Sequence, residues 1–114
     1  MEEMAERRRI RVAVVEDQPL YRQMLTSALA GAEGLDVVAV ASSCAHARAV
    51  VPDSDADVAV LDIQLGDGSG IDLGLELRRT LPRLGVLLLS ATDSLDALLD
   101  LPRSSVRGWS YLSK

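Results

Sequence analysis

The sequence predicts an α/β domain built on a doubly wound, five-stranded parallel sheet. Short apolar runs rich in β-branched residues alternate along the chain with segments whose apolar residues recur at helical spacing. The apolar runs lack the polar alternation of a strand with one wet face, so they suit strands covered by helices on both faces. Strands that alternate with helices favour right-handed crossovers and a parallel sheet. The length of 114 residues fits one such domain.

The first half of the chain predicts three strands separated by two helices. Pro19 occupies a tolerated position in the first turn of the first helix, Gly31 is its stop signal, and Ser43 is a cap for the second helix. The predicted strands are Ile10 to Val15, Leu35 to Ala41 and Val58 to Leu61, and the predicted helices are Pro19 to Ala30 and Ser43 to Val51.

The second half predicts two more strand and helix pairs after a glycine-rich loop from Gly66 to Gly70. A third helix is supported by apolar spacing from Ile71 to Leu81 and is closed by Pro82. The remaining elements are a strand from Gly85 to Leu89, a weaker helix from Ser94 to Leu101 ended by Pro102, and a short fifth strand from Ser110 to Ser113.

Charge and composition exclude several classes of protein. The net charge of −5 argues against a domain that binds nucleic acid by itself, because phosphate backbones attract excess Lys and Arg. Residues 1–9 form a charged lead-in to the first strand, and their arginines suit a solvated segment better than a nucleic-acid tail. The apolar runs are too short to span a bilayer and the charged N-terminus is unlike a signal peptide, so we expect a cytoplasmic protein.

The single cysteine and the single histidine are not predicted to take part in chemistry. Cys44 has no second cysteine with which to form a disulfide or hold zinc, so we expect a small buried residue. His46 falls within the second predicted helix, away from the strand ends, and we expect it to be partly exposed.

Polar residues follow the predicted strands at the end where the functional groups of such sheets gather. Glu16 and Asp17 follow the first strand and Asp62 follows the third. Ser90 follows the fourth strand, and the fifth leads directly into Lys114. We therefore expect these five side chains to share one edge of the sheet.

This combination of side chains suits phosphoryl transfer to a carboxylate. Three carboxylates in one pocket repel each other unless a cation neutralises them, and Mg²⁺ prefers oxygen ligands while keeping positions open for phosphate. Asp62 is the candidate nucleophile, since a carboxylate needs no general base. Lys114 is placed to pair with Asp62 and then with a phosphoryl oxygen, and the Ser90 hydroxyl to donate a hydrogen bond to the phosphate.

Four segments resemble the receiver domain of two-component response regulators, and their residues resemble those of the NarL/FixJ (LuxR-type) branch. In the family's order they are VAVVEDQPLYRQML, VAVLDIQLGDGSGIDL, VLLLSA and YLSK. The resemblance implies a flavodoxin-like sheet with strand order 2-1-3-4-5. It also implies a sensor histidine kinase as donor, a homodimer, and contact with DNA only through an output domain that is absent from this sequence.

The resemblance also assigns roles to residues of this chain. Asp62 matches the phosphoacceptor, and Tyr111 matches an aromatic residue whose pose reports phosphorylation. The metal-binding positions fall on Glu16, Asp17, Asp62 and the backbone carbonyl of Gln64, and the phosphate-binding and switch positions fall on Ser90, Lys114 and Tyr111. Simple strand packing is the alternative interpretation of Tyr111.

The sequence departs from the family pattern in three places. Gly66 stands where the family usually has proline, the stretch from Ser90 to Lys114 is longer than usual, and the chain ends at Lys114, where the family continues with a fifth helix. We therefore expect a receiver domain over residues 10–114 that is truncated after the fifth strand, with its final helix absent. Apolar surface beside strands one and five would then be exposed and would favour dimers.

Three other functions compete with a phosphorylated receiver. A pseudo-receiver would bind partners without phosphorylation. A phosphatase or other Mg²⁺-dependent hydrolase would need a substrate pocket and a positioned acid or base. A nucleotide-binding domain is the weakest alternative, because no glycine-rich fingerprint follows the first strand. On the leading interpretation the chain is a signalling domain that catalyses only its own phosphorylation and dephosphorylation, and is not otherwise an enzyme.

Overall fold

A computed structural model describes residues 9–90 and 107–114 of the chain. The predicted helix from Ser94 to Leu101 lies outside the described residues, as does most of the charged lead-in. The strands are β1 (Ile10–Val15), β2 (Leu35–Ala41), β3 (Val58–Asp62), β4 (Gln64–Leu65), β5 (Gly68–Ser69), β6 (Gly85–Ser90) and β7 (Trp109–Ser113), and the helices are α1 (Pro19–Ala30), α2 (Cys44–Val50) and α3 (Gly70–Thr80).

The five longer strands form one parallel sheet in the order β2-β1-β3-β6-β7. Strands β4 and β5 pair only with each other. When the strands of the large sheet alone are numbered along the chain, their order is the predicted 2-1-3-4-5, so the doubly wound fold and its strand order are confirmed. Val15 at the end of β1 pairs with Leu61, the residue before Asp62, and Ser90 pairs with Ser113, the residue before Lys114. The register therefore brings the polar residues at the carboxyl ends of these strands to one edge of the sheet.

In the central strands β1, β3 and β6, the residues on both faces of the sheet are largely buried. Ala13 and Val15 of β1 face a larger core that includes Leu73 and Leu77 of α3. Val12 and Val14 face a smaller core that α1 covers. A strand with both faces buried contains a continuous apolar run, which is the pattern that predicts β1 and β3.

Helix α1 covers the smaller core with one stripe and leaves another stripe exposed. Tyr21, Leu25 and Leu29, at intervals of four residues, pack against the sheet. Leu20 and Met24 precede two of these residues by one position, so they lie about 100° around the helix and are 83% and 58% exposed. The apolar spacing predicted the helix correctly, including its stop at Gly31, but it did not show which apolar residues face the sheet.

Side-chain caps begin the other two helices. The Ser43 hydroxyl accepts a hydrogen bond from the backbone N–H of His46 at 3.0 Å, as the sequence predicted. The Ser69 hydroxyl accepts one from Ile71 N–H at 3.1 Å at the start of α3. His46 is exposed, and Cys44 is buried in the larger core, so both expectations for these residues are confirmed. None of the helices in the described part of the chain has the length and apolar character of a membrane span.

The predicted glycine-rich loop contains the β4–β5 hairpin, and α3 already begins at its last residue, Gly70. A Cβ atom on Gly70 would collide with the carbonyl oxygen of Asp62 and lie 2.9 Å from the carbonyl carbon. The N–H of Gly70 also donates to the carbonyl of Ile63 at 2.8 Å. Glycine at position 70 therefore lets the start of α3 pack directly on the backbone of Asp62.

We predict that Gly70→Ala destabilises the domain by about 3 kcal/mol, because the added methyl group meets backbone that cannot rotate away. Urea unfolding followed by circular dichroism measures this change. Gly66→Ala is the matched control, since its nearest neighbour outside the adjacent residues is an Asp17 oxygen at 3.8 Å, and we expect a change of about 0.5 kcal/mol or less. Equal unfolding midpoints for parent and Gly70→Ala would contradict the packing described here.

Candidate functional site

A cluster of three carboxylates lies at the carboxyl ends of β1 and β3. Glu16 and Asp62 are buried, Asp17 is partly buried, and one oxygen from each lies within 4.8 Å of the others. The cluster adjoins a cavity of about 320 Å³, a size that suits a small ligand. The residues that line this cavity are Asp17, Gln18, Asp62, Gln64, Leu65, Gly66 and Lys114.

Lys114 bridges the two buried carboxylates. Its Nζ lies 2.8 Å from Oε1 of Glu16 and 3.0 Å from Oδ2 of Asp62. The backbone N–H of Lys114 donates to the carbonyl of Ser90 at 2.8 Å, which continues the pairing of β7 with β6. The sequence predicted the pair with Asp62 but not the one with Glu16. One ammonium group against three carboxylates leaves excess negative charge in the cluster.

Burial and neighbouring charges shift two pKa values in the cluster. Burial raises the pKa of Glu16 above its ordinary 4.5, and the nearby Asp62 adds to the rise, while Lys114 and the N–H of Gln18 oppose it. Burial alone would lower the pKa of Lys114, but its ion pairs with Glu16 and Asp62 raise it above its ordinary value. Lys114 is therefore firmly protonated, and the cluster favours a further cation that relieves the crowding of the carboxylates.

Backbone contacts fix the loops that carry the carboxylates. Arg22 of α1 donates from Nη1 to the carbonyl of Glu16 at 2.9 Å, and the N–H of Gln18 donates to Oε2 of Glu16 at 3.1 Å. The N–H of Gln64 donates to Oδ1 of Asp62 at 3.1 Å. The carboxylates of Glu16 and Asp62 are therefore held in place before any ligand binds.

Tyr21 completes the surroundings of Lys114. The Nζ atom lies 4.5 Å from the centroid of the Tyr21 ring, which is within the range of a cation–π interaction. No role of Tyr21 is predicted from the sequence, because the apolar pattern that predicts the first helix does not depend on this residue. Only the fold brings the side chain of Lys114, which follows the last strand, within reach of Tyr21 on the first helix.

Asp67, at the turn of the β4–β5 hairpin, is a second residue whose contacts are not predicted from the sequence. Its Oδ1 accepts from the N–H of Cys44 at 2.8 Å and its Oδ2 from the N–H of Ala45 at 3.0 Å. These two hydrogen bonds lower the pKa of Asp67 below its ordinary 3.8. An Asp beside a glycine signals a turn, but the sequence does not say which helix its carboxylate will contact. The contact ties the hairpin beside Asp62 to the start of α2.

The two predicted switch residues lie on one face of the sheet but do not line the cavity. Ser90 is buried at the end of β6, and Tyr111 packs against the larger core from β7. Tyr111 pairs with Leu88, two residues before Ser90, which places both predicted residues on the face of the larger core. Their roles in signalling stay predictions.

The donor atoms of the cluster fit a hard divalent cation. All three side chains offer carboxylate oxygens, which Mg²⁺ prefers, and their spacing permits shared coordination. Gln64 lines the same cavity, so its predicted contribution through the backbone carbonyl is compatible with its place in the fold. The excess negative charge of the cluster favours a metal ion, and the adjoining cavity leaves room for an anionic group beside it.

Comparisons with known proteins agree with this arrangement. Residues 12–114 match the family model described as response regulator receiver domain. The DNA-binding transcriptional activator DevR/DosR of Mycobacterium tuberculosis is 39% identical over 88% of this chain and 46% of its own length. A protein-glutamate methylesterase/protein-glutamine glutaminase of Trichodesmium erythraeum is 26% identical over 93% of this chain and 30% of its own length. The chain thus spans less than half of either relative.

A solved structure supports the same assignment of fold. The response regulator TrrA from Thermotoga maritima, solved in complex with Mg²⁺-BeF, is 26% identical with a TM-score of 0.75. The match covers 92% of this chain and 86% of that one. Both transcriptional regulators and methylesterases are therefore among the proteins that this chain resembles, which leaves the assignment at the level of the family.

We predict that Asp67→Asn lowers the melting temperature at pH 7 by about 3 °C, because the neutral amide offers one acceptor where the carboxylate offers two. The pKa of Asp67 is depressed in the folded state, so its contribution is present above the ordinary 3.8 and is lost as the pH falls further. Thermal melts from pH 7 to pH 3 should therefore show the difference shrinking below about pH 4. Asp53→Asn, at another exposed carboxylate, is the control; a difference between parent and Asp67→Asn that is independent of pH would contradict this account.

Proposed function

The chain belongs to the response regulator receiver family, and we propose that Asp62 accepts a phosphoryl group from a sensor histidine kinase. Receiver domains are signalling modules, and the methylesterase activity of some relatives lies in separate domains. The observation that carries the proposal is the contact of Lys114 Nζ with Asp62 Oδ2 at 3.0 Å, beside a cavity and two further carboxylates.

In the proposed reaction a carboxylate oxygen of Asp62 forms a bond to phosphorus. The bond from phosphorus to the donor breaks, and its electron pair leaves with the donor group. The ammonium group of Lys114 stabilises the negative charge on the phosphoryl oxygens, and the site is preorganised for this because Lys114 already contacts the acceptor. The Ser90 hydroxyl is proposed to donate a hydrogen bond to the product phosphate.

Glu16, Asp17 and Asp62, with the backbone carbonyl of Gln64, are the proposed ligands of Mg²⁺. Bound there, the ion would neutralise charge on the carboxylates and on the phosphoryl group. The hard oxygen donors within 4.8 Å of one another support this assignment. The structure of TrrA in complex with Mg²⁺-BeF, from a relative 26% identical to this chain, also supports it.

Output is proposed to follow from a change at Ser90 and Tyr111 that alters dimerisation or contact with another domain. The 39% identity with DevR/DosR supports the NarL/FixJ branch and output through a DNA-binding domain, and the branch is part of the proposal. Leu20, Met24 and Leu112 are exposed by 83%, 58% and 55%, and we propose that these apolar side chains contact protein partners, namely the kinase or a second copy of the chain.

The competing functions lack a supporting observation in the described part of the chain. A pseudo-receiver has no need of a lysine held against a buried aspartate, and no feature of the described residues favours it. A hydrolase needs a positioned acid or base for a separate substrate. His46 is exposed on α2 and does not line the cavity. Acceptance of phosphate by Asp62 therefore explains the site with the fewest additional groups.

We predict that the chain gains one phosphate when it is incubated with acetyl phosphate and Mg²⁺, as measured by intact mass. Asp62→Asn removes the nucleophile while keeping the size of the side chain, so it should stay unmodified. Asp72→Asn, at an exposed carboxylate of α3, should be labelled like the parent. Chelation of Mg²⁺ should reduce labelling to background, because excess negative charge in the cluster would then repel the donor.

Two outcomes would contradict this proposal. One is a parent that stays unmodified while its circular dichroism spectrum and melting curve show that it is folded. The other is Asp62→Asn with the same phosphate content as the parent, which would place the acceptor elsewhere in the chain.

A further inference from the structure

Tyr21 is the one aromatic contact of the Lys114 ammonium group that the structure describes. The ring is held in place by its packing against the smaller core, which includes Val12 and Val14 of β1. The lysine side chain reaches the ring from β7, and its Nζ lies 4.5 Å from the ring centroid. A rigid ring on the first helix thus meets a flexible cation at the end of the last strand.

The other contacts of the Lys114 ammonium group are with two carboxylates that the proposed chemistry needs for itself. Glu16 and Asp62 hold Nζ at 2.8 and 3.0 Å. The same two side chains belong to the cluster that would bind Mg²⁺, and Asp62 would also carry the phosphoryl group. Both ion pairs must therefore weaken or rearrange as metal and phosphate enter. The Tyr21 ring takes no part in either step, so its contact with Lys114 is free to persist.

We propose that Tyr21 is a positioning residue that keeps Lys114 at the cavity while Asp62 is phosphorylated. A free lysine side chain has considerable rotamer entropy, and a cation–π contact limits it without neutralising the charge that the phosphoryl oxygens need. The ring also covers the ammonium group on one side, which excludes water and strengthens its electrostatic effect on the cavity. This inference rests on the proposed function, because it gives Lys114 a task in phosphoryl acceptance.

The aromatic face, and not the phenol hydroxyl, provides this contact. Tyr21→Phe should therefore behave like the parent, whereas Tyr21→Leu keeps an apolar side chain against the core but removes the π system. Tyr21→Met is a second variant without a ring, whose flexible side chain fills the same space if leucine packs poorly.

The sequence offers a direct probe of the contact, because Lys114 is the only lysine in the chain. Labelling with lysine enriched in ¹³C at Cε gives a single methylene signal in the NMR spectrum of the full chain. The Tyr21 ring current should shift this signal upfield in the parent and in Tyr21→Phe, with and without Mg²⁺ and beryllofluoride. The shift should be lost in Tyr21→Leu and Tyr21→Met.

The rate of phosphorylation by acetyl phosphate tests the role of the contact. Tyr21→Leu and Tyr21→Met should react about five-fold more slowly than the parent, as expected for loss of one partly desolvated cation–π contact, while Tyr21→Phe keeps the parent rate. In a Lys114→Met background the Tyr21→Leu change should have no further effect, which a merely structural role of Tyr21 would not produce.

Three results would overturn the inference. They are a lysine signal without an upfield shift in the parent, parent rates in both variants that lack the ring, and an equal loss of rate from Tyr21→Leu whether or not Lys114 is present. Failure of the proposed function is a separate result, in which the parent itself takes up no phosphate while the upfield lysine signal is still observed.

Discussion

The ion pairs of Lys114 with Glu16 and Asp62 are the interaction on which the rest of the site depends. Two buried carboxylates beside a third are costly to remove from water unless a cation lies close to them. Lys114 provides that cation, and it directly follows β7, an edge strand of the sheet. Lys114 therefore offsets the free-energy cost of burying the carboxylates. Its backbone N–H also donates to the carbonyl of Ser90, which holds the end of β7 against β6.

Several neighbouring groups hold the carboxylates of the cluster in position for these ion pairs. Arg22 and the N–H of Gln18 hold Glu16, and the N–H of Gln64 holds Asp62. The absence of a side chain at Gly70 lets α3 pack on the backbone of Asp62. The hairpin that follows Asp62 is in turn tied to α2 through Asp67. Rigid supports around a charged site lower the cost of reorganisation when charge moves, which is the property that phosphoryl transfer requires.

Much of the fold could be predicted from the sequence because its signals are local. The apolar run from Ile10 to Val15 marks a strand buried on both faces, and Pro19 with Gly31 marks the limits of the first helix. The positions of Asp62 and Lys114 followed from the rule that parallel strands bring their carboxyl ends to one edge. In each case the information lies within a few residues of the element that it predicts.

The contacts that the sequence did not reveal join distant elements through side-chain direction. Tyr21 and Leu20 are adjacent apolar residues of one helix, yet one contacts Lys114 and the other is 83% exposed. No feature of the neighbouring sequence distinguishes the two residues, because the difference depends on the rotation of the helix about its own axis against the sheet. Asp67 contacts the start of α2 only because the hairpin folds back over it. Periodicity predicts that a helix has an apolar side but does not say which neighbour each residue of that side will meet.

The central claim is that Asp62 carries the phosphoryl group, and chemical mapping of the modified residue tests it most directly. Borohydride reduces an aspartyl phosphate to homoserine, so peptide mass mapping after treatment with acetyl phosphate, Mg²⁺ and borohydride identifies the acceptor. We predict homoserine at position 62 and unmodified carboxylates at Glu16 and Asp17. Homoserine at position 17 in place of position 62, or unreduced Asp62 in a chain whose mass shows one bound phosphate, would contradict that claim.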